Sequence, residues 1–137
     1  RPYVMTSKVH DTADGGTGGD VVQLIDVPAD SMIVAGALEV LEARGNGQIT
    51  LDVGFTGGDV DCFVDGSACA AGFTPFLEAA VGASGANARI LTSADTIDAL
   101  ILDGGSTGES ALRFRIHVVL ADISHNPVET ATVSTGT

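Results

Sequence analysis

Leu112-Arg113-Phe114-Arg115-Ile116-His117-Val118-Val119-Leu120 is the stretch on which the fold class turns. Leu112, Phe114, Ile116, Val118 and Leu120 alternate with Arg113, Arg115 and His117, which is the two-residue period of a strand with one face buried and one face wet. The polar alternation stops after His117, where Val119 and Ala121 join the apolar side, so the end of this strand is expected to be covered on both faces. A second segment repeats the period: Ile49, Leu51, Val53 and Phe55 point one way, and Gln48, Thr50, Asp52 and Gly54 the other.

Weaker strand patterns run from Tyr3 to His10, Asp20 to Val27, Ala88 to Leu91 and Thr96 to Leu102. Asp20 to Val27 carries apolar residues on both faces, as a central strand or one facing a neighbouring subunit would. Ser31 to Ala43 reads two ways. As a helix it has a cap at Asp30 or Ser31, apolar Val34, Leu38 and Leu41, and Gly45 beyond its end. As a strand it sets Met32, Val34, Leu38 and Val40 on one face and runs through Arg44-Gly45-Asn46-Gly47 into the strand at Gln48. Asn46-Gly47 favours the strand, because both central positions of a type I′ hairpin need φ > 0.

Thr74-Pro75 followed by Phe76-Leu77-Glu78-Ala79-Ala80-Val81 has the cap and first-turn proline of one short helix. Ser84 to Asn87 and Asp103 to Ser110 read as turns, no tandem repeat emerges, and Val128 to Thr137 reads as an extended or disordered tail. Short strands with glycine turns predict an all-β protein: an antiparallel β-sandwich over residues 3–124, most simply a jelly roll, with at most one short helix and 125–137 as the tail.

The chain has 137 residues and a net charge of −12, long enough for one domain with its own core. Eighteen acidic residues against six basic ones keep phosphate backbones and anionic lipid away, so nucleic acid and membrane surfaces are excluded as partners and protein is favoured. No apolar run reaches the length of a membrane span. The chain opens on Arg1-Pro2-Tyr3 with no signal-peptide pattern and no initiator Met, which leaves a removed leader open. Cys62 and Cys69 would pair in an oxidising compartment and stay reduced in a cytosol-assembled protein, and nothing beyond their proximity decides between the two.

Motif matches give way to simpler readings. Gly104-Gly105-Ser106-Thr107-Gly108 fits G-x-S-x-G, with Asp122 and His125 downstream, but a nucleophile elbow joins a strand to a helix whereas Ser106 precedes a strand. Gly15-Gly16-Thr17-Gly18-Gly19-Asp20-Val21-Val22-Gln23 matches one copy of a calcium-binding β-helix nonapeptide, which is half a site. Asp59-Val60-Asp61-Cys62-Phe63-Val64-Asp65-Gly66 has the start of an EF-hand loop, but Phe63 takes a ligand position and no glutamate closes it. His10, His117 and His125 share no ligand spacing. The reading is therefore no catalytic residue, no cofactor and no tightly bound metal. Arg113, Arg115 and His117 form a basic row in an acidic protein, the best local candidate for a contact with carboxylates of a neighbouring subunit or another protein.

The entry Gly19-Asp20-Val21-Val22-Gln23-Leu24-Ile25-Asp26-Val27-Pro28, the segment Ala37-Leu38-Glu39-Val40, the strand and loop from Leu51 to Gly66, and the closing strand Leu112 to Ile123 resemble small virion proteins of tailed phages, particularly marine ones. The likeness runs from about Tyr3 to Ile123, and Cys62 and Cys69 depart from it. It implies a non-enzymatic capsid decoration, knob or fibre-associated protein, located in the virion after assembly in the host cytoplasm. The partners it implies are further copies of itself, a trimer being favoured, and the major capsid protein or another virion protein. The competing reading is a secreted carbohydrate- or calcium-binding β-sandwich module. A sugar platform needs exposed aromatic rings, and the chain has only Tyr3 and five Phe to supply them.

Overall fold

The computed structural model describes residues 2–11, 20–44, 49–58, 60–67, 70–77, 90–103 and 111–124. Among them there are nine strands and no helix: β1 (Pro2–Thr6), β2 (His10–Asp11), β3 (Val21–Val27), β4 (Ser31–Arg44), β5 (Ile49–Gly54), β6 (Gly72–Pro75), β7 (Ile90–Leu91), β8 (Asp95–Asp103) and β9 (Ala111–Asp122). They form two antiparallel sheets. The larger has the order β1-β9-β4-β6, with β2 continuing the β1 edge along β9 and β7 continuing the β6 edge along β4. The smaller has the order β3-β8-β5. Val64 adds one antiparallel bridge to Val53 on the far side of β5.

The fold is an antiparallel β-sandwich, as the two clean alternations predict. Leu112, Phe114, Ile116, Val118 and Leu120 are all essentially inaccessible, and they meet Leu51, Val53, Ile97, Ala99 and Ile101 from the opposite sheet in one core. Burying each large aliphatic or aromatic side chain contributes about 1.5–3 kcal/mol. Phe63 stacks on Phe76 with ring centroids 4.7 Å apart and meets Phe55 edge-on at 5.4 Å, closing the core beneath the segment after β5.

Several expectations change. Ser31 to Ala43 is a strand, but it forms no hairpin with the next one. β4 pairs with β9 and β5 with β8, so the chain crosses from one sheet to the other between them. Asn46-Gly47 itself lies outside the described residues. The inward set on β4 is also different, because Ile33 is buried whereas Val34 is exposed. A β-bulge between Ile33 and Ala35 shifts the period by one, so that Leu38 and Val40 then point in. β3 is an edge strand and not a central one, and its apolar residues on two apparent faces are explained by a bulge between Gln23 and Ile25.

Thr74 and Pro75, expected to cap and open a helix, lie in β6. Pro75 is tolerated there because β6 is at the sheet edge and a missing N–H costs no central ladder bond. Residues 78–81 of that expected helix lie outside the described residues. The strand read from Tyr3 to His10 is broken after Thr6. At the break, Ser7 Oγ accepts from Ile116 N–H at 2.9 Å and donates to Lys8 C=O, which takes the place of a regular ladder step. The tail, 125–137, is outside the described residues.

Candidate functional site

Alternation along β9 puts Arg113, Arg115 and His117 together on the outer face of the larger sheet, as predicted. The β4–β9 register sets Glu39 opposite Arg115 and Glu42 opposite Arg113. Arg115 Nε donates to Glu39 Oε1 at 2.8 Å, and His117 Nε2 reaches the same oxygen at 2.8 Å. Arg113 bridges Glu42 at 3.5 Å and approaches Asp11 at 4.0 Å. His117 Nδ1 lies 2.9 Å from Thr6 Oγ1 on β1. The basic row therefore has carboxylate partners within its own chain. His117, then Arg115, hold the Glu39 carboxyl below its ordinary range, so its contribution to stability is present at neutral pH and is lost as pH falls through that lowered value.

The second constellation is acidic. Asp52, Asp61 and Asp65 bring carboxylate oxygens within 4.8 Å of one another, and they are the residues among those described that could offer a cation three carboxylates. Asp61 and Asp65 were legible as loop acids. Asp52 was not: it was assigned to a solvent-facing row, but it is buried because the segment after β5 folds back over it and Gly66 N–H donates to its Oδ1 at 2.8 Å. Burial pushes its carboxyl above the ordinary value, the Gly66 hydrogen bond opposes this and repulsion from Asp65 adds to it.

The folded form thus holds the Asp52 proton more tightly than the unfolded chain does. This group favours folding below its unfolded value of 3.8, and that contribution is lost as pH rises through the raised folded value. Asp52→Asn keeps the acceptor for Gly66 and removes the charge. It should raise Tm at neutral pH and lose that advantage in acid, which thermal melts across pH will read. EDTA should leave the wild-type Tm unchanged, whereas a rise on adding calcium would mean that the folded state binds a cation here.

Asp98, on the outer face of β8, is buried and accepts from Thr56 N–H at 3.1 Å, from Thr56 Oγ1 and from Thr96 Oγ1 at 2.6 Å, tying the segment after β5 to the smaller sheet. Of the nucleophile-like constellation, Asp122 accepts from Ser124 N–H and Oγ at 2.9 and 2.6 Å, while Ser106 and His125 lie outside the described residues. Gly15 to Gly19, Asp59 and Cys69 are likewise outside. Cys62 is buried, and Asp20 offers its backbone C=O to Ile101 N–H. A cleft of about 480 Å³ opens at one edge of the sandwich between the β1–β2 edge and β3, lined by Met5, Val22 and Leu24 among others. His10 lines it as well, packed edge-on to Phe114 with its Nε2 buried and without a hydrogen-bond partner.

No protein-family model matches the chain, and no curated protein matches it significantly. Solved structures do share its architecture. A chain in the capsid asymmetric unit of cyanophage Pam1 superposes with a TM-score of 0.62 at 16% identity, covering 87% of this chain and 83% of that one. The fold is one that phage capsids carry. A chain in the acidic stable capsid structure of Helicobacter pylori bacteriophage KHP30 gives 0.61 at 13% identity over 87% and 86% of the two chains. One in the capsid of Ralstonia phage GP4 gives 0.56 at 21% identity over 88% and 84%.

Proposed function

We propose that this chain is a non-enzymatic structural protein of a phage virion, a decoration or knob protein seated on the capsid lattice or on another virion protein. The observation that carries the reading is the shared fold: chains from phage capsids match over 87–88% of this one, with most of their own length covered in return. The resemblance of Gly19 to Pro28 and Leu112 to Ile123 to small tailed-phage virion proteins points the same way. The strand order supports a jelly roll, since successive strands from β2 to β5, and again from β7 to β9, alternate between the two sheets. In this reading one sandwich spans 3–124, 125–137 is a docking or linking tail, and the working unit is a homo-oligomer, a trimer being favoured, assembled in the host cytoplasm.

A structural role asks for a rigid sandwich, a face that meets other subunits and no reactive group. On the larger sheet Arg113, Arg115 and His117 are engaged with Glu42, Asp11 and Glu39, in keeping with that. Mass spectrometry of purified particles from a phage encoding the chain tests the reading. The protein is expected at a copy number comparable to that of the shell subunit, and its absence from particles would end the proposal. A calcium-binding module is the second reading, favoured by Asp52, Asp61 and Asp65 alone, and the EDTA melt separates it.

A further inference from the structure

Two histidines of the larger sheet differ in what their ring nitrogens touch. A charged imidazole carries an N–H on both nitrogens, and each needs an acceptor once it is out of water. His117 has both. Glu39 Oε1, a carboxylate oxygen that can only accept, is 2.8 Å from Nε2, so the neutral ring carries its hydrogen there and Nδ1 accepts from the Thr6 hydroxyl at 2.9 Å. When Nδ1 gains a proton the hydroxyl turns and accepts instead, and no heavy atom has to move.

His10 is the opposite case. It lies directly across from Phe114 in the β2–β9 pairing and therefore on the inner face, packed edge-on to that ring with centroids 5.6 Å apart. The residue is half-buried, but Nε2 itself is shut off from solvent and has no hydrogen-bond partner among the described residues. Leu112 and Ile116, its other neighbours on that face of β9, are apolar and buried. The charged groups that line the cleft beside it are Lys8, on the link from β1, and Asp26, across the cleft on β3. Asp11 follows it in β2 and faces Arg113 on the outer side of the sheet. None of these bonds Nε2. Whichever nitrogen the neutral ring leaves bare, the charged ring must carry an unpaired N–H in this seat, and an unpaired charge is far costlier to bury than an unpaired neutral group.

The strand that carries His10 can leave alone. β2 has two residues, whereas the chain just before it is fastened: Ser7 N–H donates to Ile116 C=O and Ser7 Oγ accepts from Ile116 N–H, both at 2.9 Å, and Thr6 is tied to His117. We infer that β2 is an acid-released flap: when His10 takes up a proton, residues 8–11 come off β9 about the Ser7 pin, the ring leaves Phe114 for water, and β1 stays in place. The seat holds the neutral ring and the released segment the charged one, so release grows as pH falls. Release widens the cleft between the β1–β2 edge and β3, bares the β9 edge at Arg113 and Phe114, and leaves Arg113 with Glu42. The flap is independent of the virion role and holds or fails without it.

The test is NMR of the wild-type full chain with isotope-labelled histidine rings, titrated over the range in which imidazoles ordinarily charge, from about pH 8 to 5. Cross-peaks between the His10 and Phe114 rings should be present at the alkaline end and vanish in step with the charging of His10. His117 should begin as the Nε2–H form and keep its cross-peaks to Thr6 throughout. Amide exchange, corrected for the intrinsic effect of pH, should show the opening of residues 8–11 growing by up to about tenfold per pH unit, with no matching change in β1. His10→Phe keeps a ring beside Phe114 and removes the proton site, so residues 8–11 of that variant should stay closed across the range. A His10 ring that charges with its Phe114 cross-peaks intact overturns the inference, as does acid-driven opening that persists unchanged in His10→Phe.

Discussion

Phe63→Ala is expected to destabilise the protein by about 3–5 kcal/mol. The side chain is 2% exposed, stacked on Phe76 and edge-on to Phe55. Its backbone N–H donates to Val53 C=O at 2.9 Å, and its own C=O accepts from Leu77 N–H at 2.8 Å. The backbone is thus pinned to β5 on one side and to the segment leaving β6 on the other, and it cannot collapse into the vacated volume. A cavity left at such a site adds to the lost transfer energy, and the loss is a large fraction of the roughly 5–15 kcal/mol by which a typical domain is stable. Urea unfolding should show a lower midpoint with an unchanged slope. A shift below about 1 kcal/mol would mean that the segment after β5 is not part of the core.

Gly36→Ala should cost about 1–3 kcal/mol by overpacking. A Cβ built on Gly36 would stand 2.9 Å from the backbone oxygen of His117 and inside the contact distance of the Phe76 ring edge. The ring has room to turn only by breaking its stack on Phe63, and the oxygen belongs to β9 and cannot yield without shifting the central strand pair. Glycine in a strand interior is otherwise unfavourable by roughly 0.5–1 kcal/mol relative to alanine, so a position with free space would gain from the change. The sign of the measured effect decides whether close approach or backbone freedom rules there. Thermal melts of the variant should show a fall in Tm, together with a near-ultraviolet signal altered at the phenylalanines.

The period of two in Ile49 to Phe55 and Leu112 to Leu120 was enough to give the fold class, because each strand has one face in the core and every second residue obeys it. It was not enough at Ile33 or Ile25, where bulges between Ile33 and Ala35 and between Gln23 and Ile25 move the inward set by one position. A bulge leaves no trace in a pattern of apolar and polar letters. Asn46-Gly47 carries turn chemistry but no information about which sheet the next strand joins, and for that reason the expected β4–β5 hairpin was wrong while both strands were right. Arg113, Arg115 and His117 were visible as a row. Their partners Glu39 and Glu42 were not, since they arrive through a register joining residues more than seventy positions apart. Asp52 was hidden for the same kind of reason: its burial is made by Gly66, which reaches it only once the segment after β5 folds back.

The central claim is that this sandwich is built into a phage particle, and the most direct measurement is a cryo-electron microscopy reconstruction of intact virions from a phage encoding the chain. The account predicts density on the capsid that fits two antiparallel sheets of order β1-β9-β4-β6 and β3-β8-β5, repeated with the shell's own symmetry. A shell fully accounted for by other proteins, with no density for this sandwich on any part of the particle, would contradict it.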